Sequence, residues 1–196
     1  HPDAVQSVHA DYIRAGAEAI IANTFATSPL LFDHHGRVDE IAKIDGIAVE
    51  LARAAAAQSE TPIAVAASFS IMRPAIKGTD DTQLHLQWPE KRARELMRIK
   101  AEGIAAARPD FIVMEMMRDQ DYSVWASEAA IATGKPVWIG ISVERRQGGP
   151  LTGFGREDQP FEDVARALAA LKPDVISIMH TSPNDTDEAI DVLRKY

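Results

Sequence analysis

Asp174-Val175-Ile176-Ser177-Ile178-Met179-His180-Thr181-Ser182-Pro183 is an apolar strand that delivers a polar tip and stops at a proline. Four earlier apolar segments repeat this form, each separated from the next by a stretch with helical periodicity. Alternation of that kind predicts parallel strands joined by helices, with chemistry gathered where the strands end.

Working outward, the helix before the first strand carries Val5, Val8 and Tyr12 on one face and ends at Ala15-Gly16; that face should pack on a sheet. Ala19-Ile20-Ile21-Ala22 is short and continuously apolar, as a strand covered on both faces is, and it ends in Asn23-Thr24-Phe25. A loop from Ala26 to Gly36 leads to a helix over Val38 to Gln58, with Ile41, Ile44, Ile47, Ala48 and Leu51 as its buried stripe. The strand Pro62 to Ala67 ends at Ser68-Phe69-Ser70, and a loop with Arg73, Pro74 and Gly78 precedes a helix over Glu90 to Ala107, with Trp88-Pro89 at its start.

The strand Phe111 to Met117 carries one carboxylate, Glu115, which is costly to bury without a partner. A helix around Tyr122 to Thr133 leads to the strand Val137 to Ser142. Val143 to Gln159 is glycine-rich and reads as an irregular lid or entry loop. Helices over Phe161 to Leu171 and Asn184 to Lys195 flank the opening strand, the second capped by Asn184 or Asp185. The count is six helices and five strands.

A (β/α)8 barrel needs eight strands and about 250 residues, so 196 residues match a barrel without its first strand and last two units. An open doubly wound sheet has the same alternation and stands as the other architecture. An incomplete barrel exposes strand edges, which either further chain or a homo-oligomer covers. The whole of 1–196 reads as one domain.

A net charge of −8 argues against nucleic acid as a partner, since phosphate neutralisation needs clustered Lys and Arg. No apolar run approaches the ~20 residues that span a bilayer, so no membrane partner is expected and the setting reads as cytoplasmic. Without cysteine the chain offers neither a disulfide nor a thiolate, and no Cys-based zinc site is complete within it.

Val8 to Phe25, with its helix, alanine-glycine-alanine turn and Asn23-Thr24-Phe25 strand end, resembles the early helix and strand of the homocysteine S-methyltransferase family. Val65 to Ser70, the strand bearing Glu115, and Pro136 to Ser142 resemble that family's later strands in the same order. The resemblance implies a TIM-type (β/α) barrel and transfer of a methyl group to the sulfur of homocysteine or a related small thiol. It implies a methyl donor such as methylfolate, betaine or S-methylmethionine, and zinc held by three cysteines. Zinc would lower the thiol pKa and present a thiolate at neutral pH.

The family's first zinc cysteine falls at His180, with Met179 before it, and the motif holding the other two lies outside these residues. Imidazole also ligates zinc, so His180 is read as a metal ligand, or as the catalytic base or hydrogen-bonding contact of a metal-free site. Glu115 matches the family glutamate that contacts the amino group of homocysteine; its other reading is an ion pair with Arg118 or Arg73. Asn23, Thr24, Ser68, Ser142 and Met179 complete the substrate-binding candidates, Asn23 and Thr24 being read as pocket-lining, with satisfaction of loop amides as the other reading of both. Two further functions stand beside methyl transfer: a diverged metal-free enzyme with another small substrate, and an inactive ligand-binding or assembly barrel.

Overall fold

The computed structural model describes residues 1–79 and 82–196. Its strands are β1 (Ala19–Ala22), β2 (Ala64–Ser70), β3 (Phe111–Met117), β4 (Val137–Glu144), β5 (Thr152–Gly153), β6 (Arg156–Pro160) and β7 (Val175–Met179). β1, β2, β3, β4 and β7 pair in parallel in that order, and β5 and β6 form an antiparallel hairpin hung on the end of β4. Each parallel strand neighbours the next one along the chain, without the reversal of strand order that defines a doubly wound sheet. This is the wall of a barrel-type fold. Among the described residues it stays open, because β1 pairs only with β2 and β7 only with β4.

Register makes the two faces unlike. Parallel partners share a face, so Ile20, Val65 and Ala22, Ala67, Ile112, Val137 lie together, as do Phe69, Met114, Ile139 and Ile176. All but Ile176 are buried, and they form the core against the helices. Burying each large apolar side chain there contributes about 1.5–3 kcal/mol. On the opposite, lumenal face Ile21 is 46% exposed, Trp138 40% and Val175 37%. The helices thus cover one face only, as in a barrel and unlike a doubly wound sheet.

The helices are α1 (Pro2–Arg14), α2 (Pro29–His34), α3 (Ile41–Ala56), α4 (Glu90–Ala106), α5 (Asp121–Ile131), α6 (Phe161–Ala169) and α7 (Pro183–Leu193), with a 3-10 turn at Val38–Glu40. Several differ from the sequence reading. α2 lies inside the expected loop, and α1 packs chiefly on α3, leaving Val8 and Tyr12 exposed. The buried stripe of α3 is Ile41, Asp45, Ala48, Val49, Ala52 and Ala55, with Ile47 outward. The sequence stripe was rotated because periodicity counts apolar residues and so passed over Asp45. Ser182, rather than Asn184 or Asp185, caps α7: its hydroxyl accepts from the Asn184 amide at 3.3 Å, with Pro183 at the first helical position.

The glycine-rich stretch after β4 is the β5–β6 hairpin rather than an irregular loop. Its position depends on Gly153, where any Cβ would collide with the Arg118 carbonyl. Local sequence gives little sign of this approach, since the partner is backbone 35 residues away.

Candidate functional site at the strand tips

Register brings the sequence candidates to one face. Ser70 pairs with Glu115, Ser68 with Val113, and Ser142 with Met179, so Ser68, Glu115, Ser142 and Met179 all point into the lumen near the carboxyl ends of their strands. Asn23, Ser68 and Glu115 line a cavity of about 670 Å³, bounded on its other side by α1 through Val8, His9 and Tyr12. Burial pushes the Glu115 carboxyl above its usual range, partly offset by the neighbouring Ser68 hydroxyl. Among the described residues that buried hydroxyl lacks a hydrogen-bond partner of full geometry. Two polar groups facing a cavity without full satisfaction are what a polar ligand would complete.

Among the described residues Glu115 makes no ion pair; the arginines considered as its partners lie elsewhere. Arg73 is fully buried, 4.4 Å above the Tyr122 ring and 3.9 Å from Asp119. Arg118 bonds Thr82 Oγ1 at 2.8 Å.

Thr24 is fully buried. Its hydroxyl donates to the Ser68 carbonyl at 2.9 Å and accepts from the Ser68 amide at 2.7 Å, stitching the end of β1 to β2. It therefore holds the lumen wall and is not among the cavity-lining groups. Beneath it lies a cluster that sequence patterning missed. Lys100 Nζ donates to the Thr24 carbonyl at 3.1 Å, Thr27 Oγ1 at 2.6 Å and Asp45 Oδ2 at 2.7 Å. These bonds fix the loop that presents Asn23 and Phe25. A lysine and an aspartate on separate helix stripes would have been the only sequence sign.

Met116 and Met179 form a sulfur-lined patch beside Ser142. The Ser142 hydroxyl donates to Met116 Sδ at 3.1 Å, and the Met116 amide to Met179 Sδ at 3.3 Å. Gly140 leaves room for this: a Cβ there would meet Met179 Sδ at 2.5 Å. Met116 and His180 both have left-handed backbones, φ 61° and 46°, which other than glycine adopt rarely and which cluster at functional sites.

His180 is exposed at the mouth, its ring edge-on to Phe154 with centroids 4.6 Å apart. With Phe25, Met72, Met116 and Arg118 it borders a second cavity of about 350 Å³. Among the described residues no three His, Cys, Asp or Glu side chains gather where they could hold a metal ion. The donors present do not make a zinc site around His180, since a structural or catalytic zinc takes at least three protein ligands. No helix is long and apolar enough to cross a membrane among the described residues.

The family profile described as Homocysteine S-methyltransferase matches residues 1–196. Betaine–homocysteine S-methyltransferase 1 of Sus scrofa is 27% identical over 142 residues, 70% of this chain and 47% of that protein. The Mus musculus protein of the same name is 27% identical over 142 residues, but this chain covers 32% of it. S-methylmethionine–homocysteine S-methyltransferase of Pongo abelii is 25% identical over 143 residues, covering 73% of this chain and 35% of its own. The chain thus spans about a third to a half of the length of these relatives. Among solved structures, the homocysteine methyltransferase MmuM from Escherichia coli in its oxidized form superposes with a TM-score of 0.74 at 21% identity, covering all of this chain and 68% of that one. Its metallated form gives 0.72 at 20% identity, covering 69% of that chain. At such identity the likeness carries the barrel architecture and nothing finer.

Proposed function

Because the chain belongs to the homocysteine S-methyltransferase family, we propose that it forms the thiol-binding part of a cytoplasmic enzyme that moves a methyl group onto the sulfur of homocysteine or a related small thiol. The observation that carries this reading is the convergence of Glu115, Ser68 and Asn23 on one cavity at the strand tips. An amino-acid thiol has an ammonium group that fits there. A cation beside Glu115 would favour the carboxylate that burial disfavours, and Ser68 would donate to the same ligand.

In the reaction, the thiol S–H bond breaks, the sulfur forms a bond to the donor's methyl carbon, and the donor's old bond to that carbon breaks with its electron pair kept by the donor. Relatives are named for betaine and S-methylmethionine, whose methyl groups sit on a positively charged nitrogen or sulfur that becomes neutral when one is lost. The thioethers of Met116 and Met179 offer a polarizable surface to such a cation. His180 is the group at the mouth suited to accept the thiol proton, since a neutral imidazole presents a free ring nitrogen as acceptor. No step is routed through zinc, because the described residues do not assemble its ligands.

Calorimetric titration of the purified protein with homocysteine, followed by a transfer assay with each named donor, tests the reading. Saturable binding that is lost in Glu115→Gln is the expected result. Absence of homocysteine binding, with the protein folded, sinks it in favour of another substrate; binding without turnover for any donor turns the assignment to a ligand-binding barrel.

A further inference from the structure

The mouth of the lumen holds a cation that the methyl-transfer chemistry above does not use. Arg118 follows β3, is 8% exposed, and borders the 350 Å³ cavity together with His180 and Phe154. Its guanidinium donates to the Thr82 hydroxyl at 2.8 Å and, at the limit of hydrogen-bond length, to the Phe154 carbonyl at 3.5 Å. Both acceptors are neutral. Among the described residues no carboxylate lies within ion-pair distance of Arg118, although nearly every other arginine near the mouth has one: Arg156 bonds Asp119 at 3.0 Å and Asp158 at 2.8 Å, and Arg146 bonds Glu144 at 2.9 Å.

A guanidinium carries five donors in a fixed fork, and here two are engaged. Burying such a charge without a counter-ion is as unfavourable as breaking a buried ion pair. A second cation deepens the imbalance. Arg73 is fully buried behind this wall, and among the described residues both its terminal nitrogens lack a hydrogen-bond partner. Among the described residues its one carboxylate within ion-pair reach, Asp119 at 3.9 Å, is already held by Arg156 and by the amides of Tyr122 and Ser123 at the start of α5. Burial first, and then the Arg73 charge, lower the Arg118 pKa from its usual value, a fall that the Asp119 and Glu144 carboxylates oppose without cancelling.

We propose that the mouth cavity is a carboxylate subsite, with Arg118 as the group that hydrogen-bonds the anion and Arg73 as a fixed positive charge behind it. The proposal rests on the methyl-transfer reading for the identity of its ligand: both an amino-acid thiol and a betaine-type donor carry a carboxylate, and either could occupy it. Glu115 lines one cavity and Arg118 the other. The lumen would then be polarised, negative toward the β1 side and positive toward the hairpin. Such an arrangement fixes ligand direction as well as affinity.

The test compares acid and neutral forms of each ligand by calorimetry on the purified protein: homocysteine against homocysteinamide, and glycine betaine against choline. Both pairs are run on wild type, Arg118→Gln and Arg118→Lys, with unfolding midpoints checked for each variant. Acetate against acetamide at equal ionic strength is run in parallel, following the Arg118 side-chain NMR resonance. The expected result is at least tenfold preference for the acid in one pair, abolished in Arg118→Gln and only partly kept in Arg118→Lys. The pair that shows it names the source of the carboxylate. Equal binding of acid and neutral forms in both pairs overturns the subsite while leaving methyl transfer standing. If neither pair binds, methyl transfer fails, and the acetate arm still decides: an acetate-specific shift of Arg118 supports the subsite and its absence overturns it.

Discussion

Lys100 Nζ stands 2.7 Å from Asp45 Oδ2, and both side chains are fully buried between α3, α4 and the end of β1. Burial pushes the lysine down to about 8 and the aspartate up, while their mutual attraction and hydrogen bond oppose both shifts. The pair survives because Thr27 Oγ1 and the Thr24 carbonyl satisfy the remaining valences. Its position under the Thr24 stitch makes it the foundation of the loop that carries Asn23.

Removing one partner leaves the other charged and unpaired. Lys100→Met is expected to destabilise the protein by about 3–5 kcal/mol, and the double variant Asp45→Leu/Lys100→Met to recover much of that. Urea unfolding of the two variants measures this; equal losses in both would mean that packing rather than charge dominates.

The same lysine predicts a pH dependence. Its folded pKa of about 8 lies below the usual 10.5, so between those values the unfolded chain binds more protons than the folded one. Stability therefore rises with pH across that window through this group. Unfolding midpoints between pH 7.5 and 10 should climb in wild type relative to Lys100→Met, and parallel curves would contradict the assignment.

Glu115 is the reverse case in its ligand chemistry. Its carboxyl is held above the usual range by burial, so an ammonium ligand should be released as pH falls through that raised value, at a pH above 4.5. Glu115→Gln is expected to remove this dependence and weaken homocysteine at least tenfold, while raising the unfolding midpoint by about 2–4 °C if removal of the buried acid gains about 1 kcal/mol. A homocysteine affinity flat between pH 4.5 and 7.5 in wild type would count against the ammonium contact.

Thr24→Val removes a hydroxyl that bonds both the amide and the carbonyl of Ser68. A loss of about 1–3 kcal/mol is expected, because two backbone groups are left buried without that partner. Since the hydroxyl faces the wall, affinity for ligand should fall only as far as the loop loosens, which homocysteine titration of the folded variant measures.

His180→Ala separates a proton acceptor from a packing ring. If imidazole takes the thiol proton, transfer should slow by ~10²–10⁴ with homocysteine binding little changed. His180→Phe, which keeps a ring against Phe154, should be as slow as the alanine variant. Recovery of rate in His180→Phe would leave only packing.

The alternation of apolar strands and periodic helices was enough, read along the chain, to give five parallel strands at the segments where they stand. The strand-tip position of Glu115, Ser68 and Ser142 was also legible, because the apolar runs that mark their strands end at or near them, while the face they share came from the register. What one-dimensional pattern does not carry is distance between segments. The strand order that separates a barrel wall from a doubly wound sheet, the close approach of Gly153 to Arg118, and the burial of Lys100 against Asp45 are all contacts between residues dozens of positions apart. The tertiary structure also decided the partners of the arginines: among the described residues it left Glu115 facing a cavity and Arg118 without a carboxylate in ion-pair reach, because charge pairing depends on a few ångströms that only packing sets.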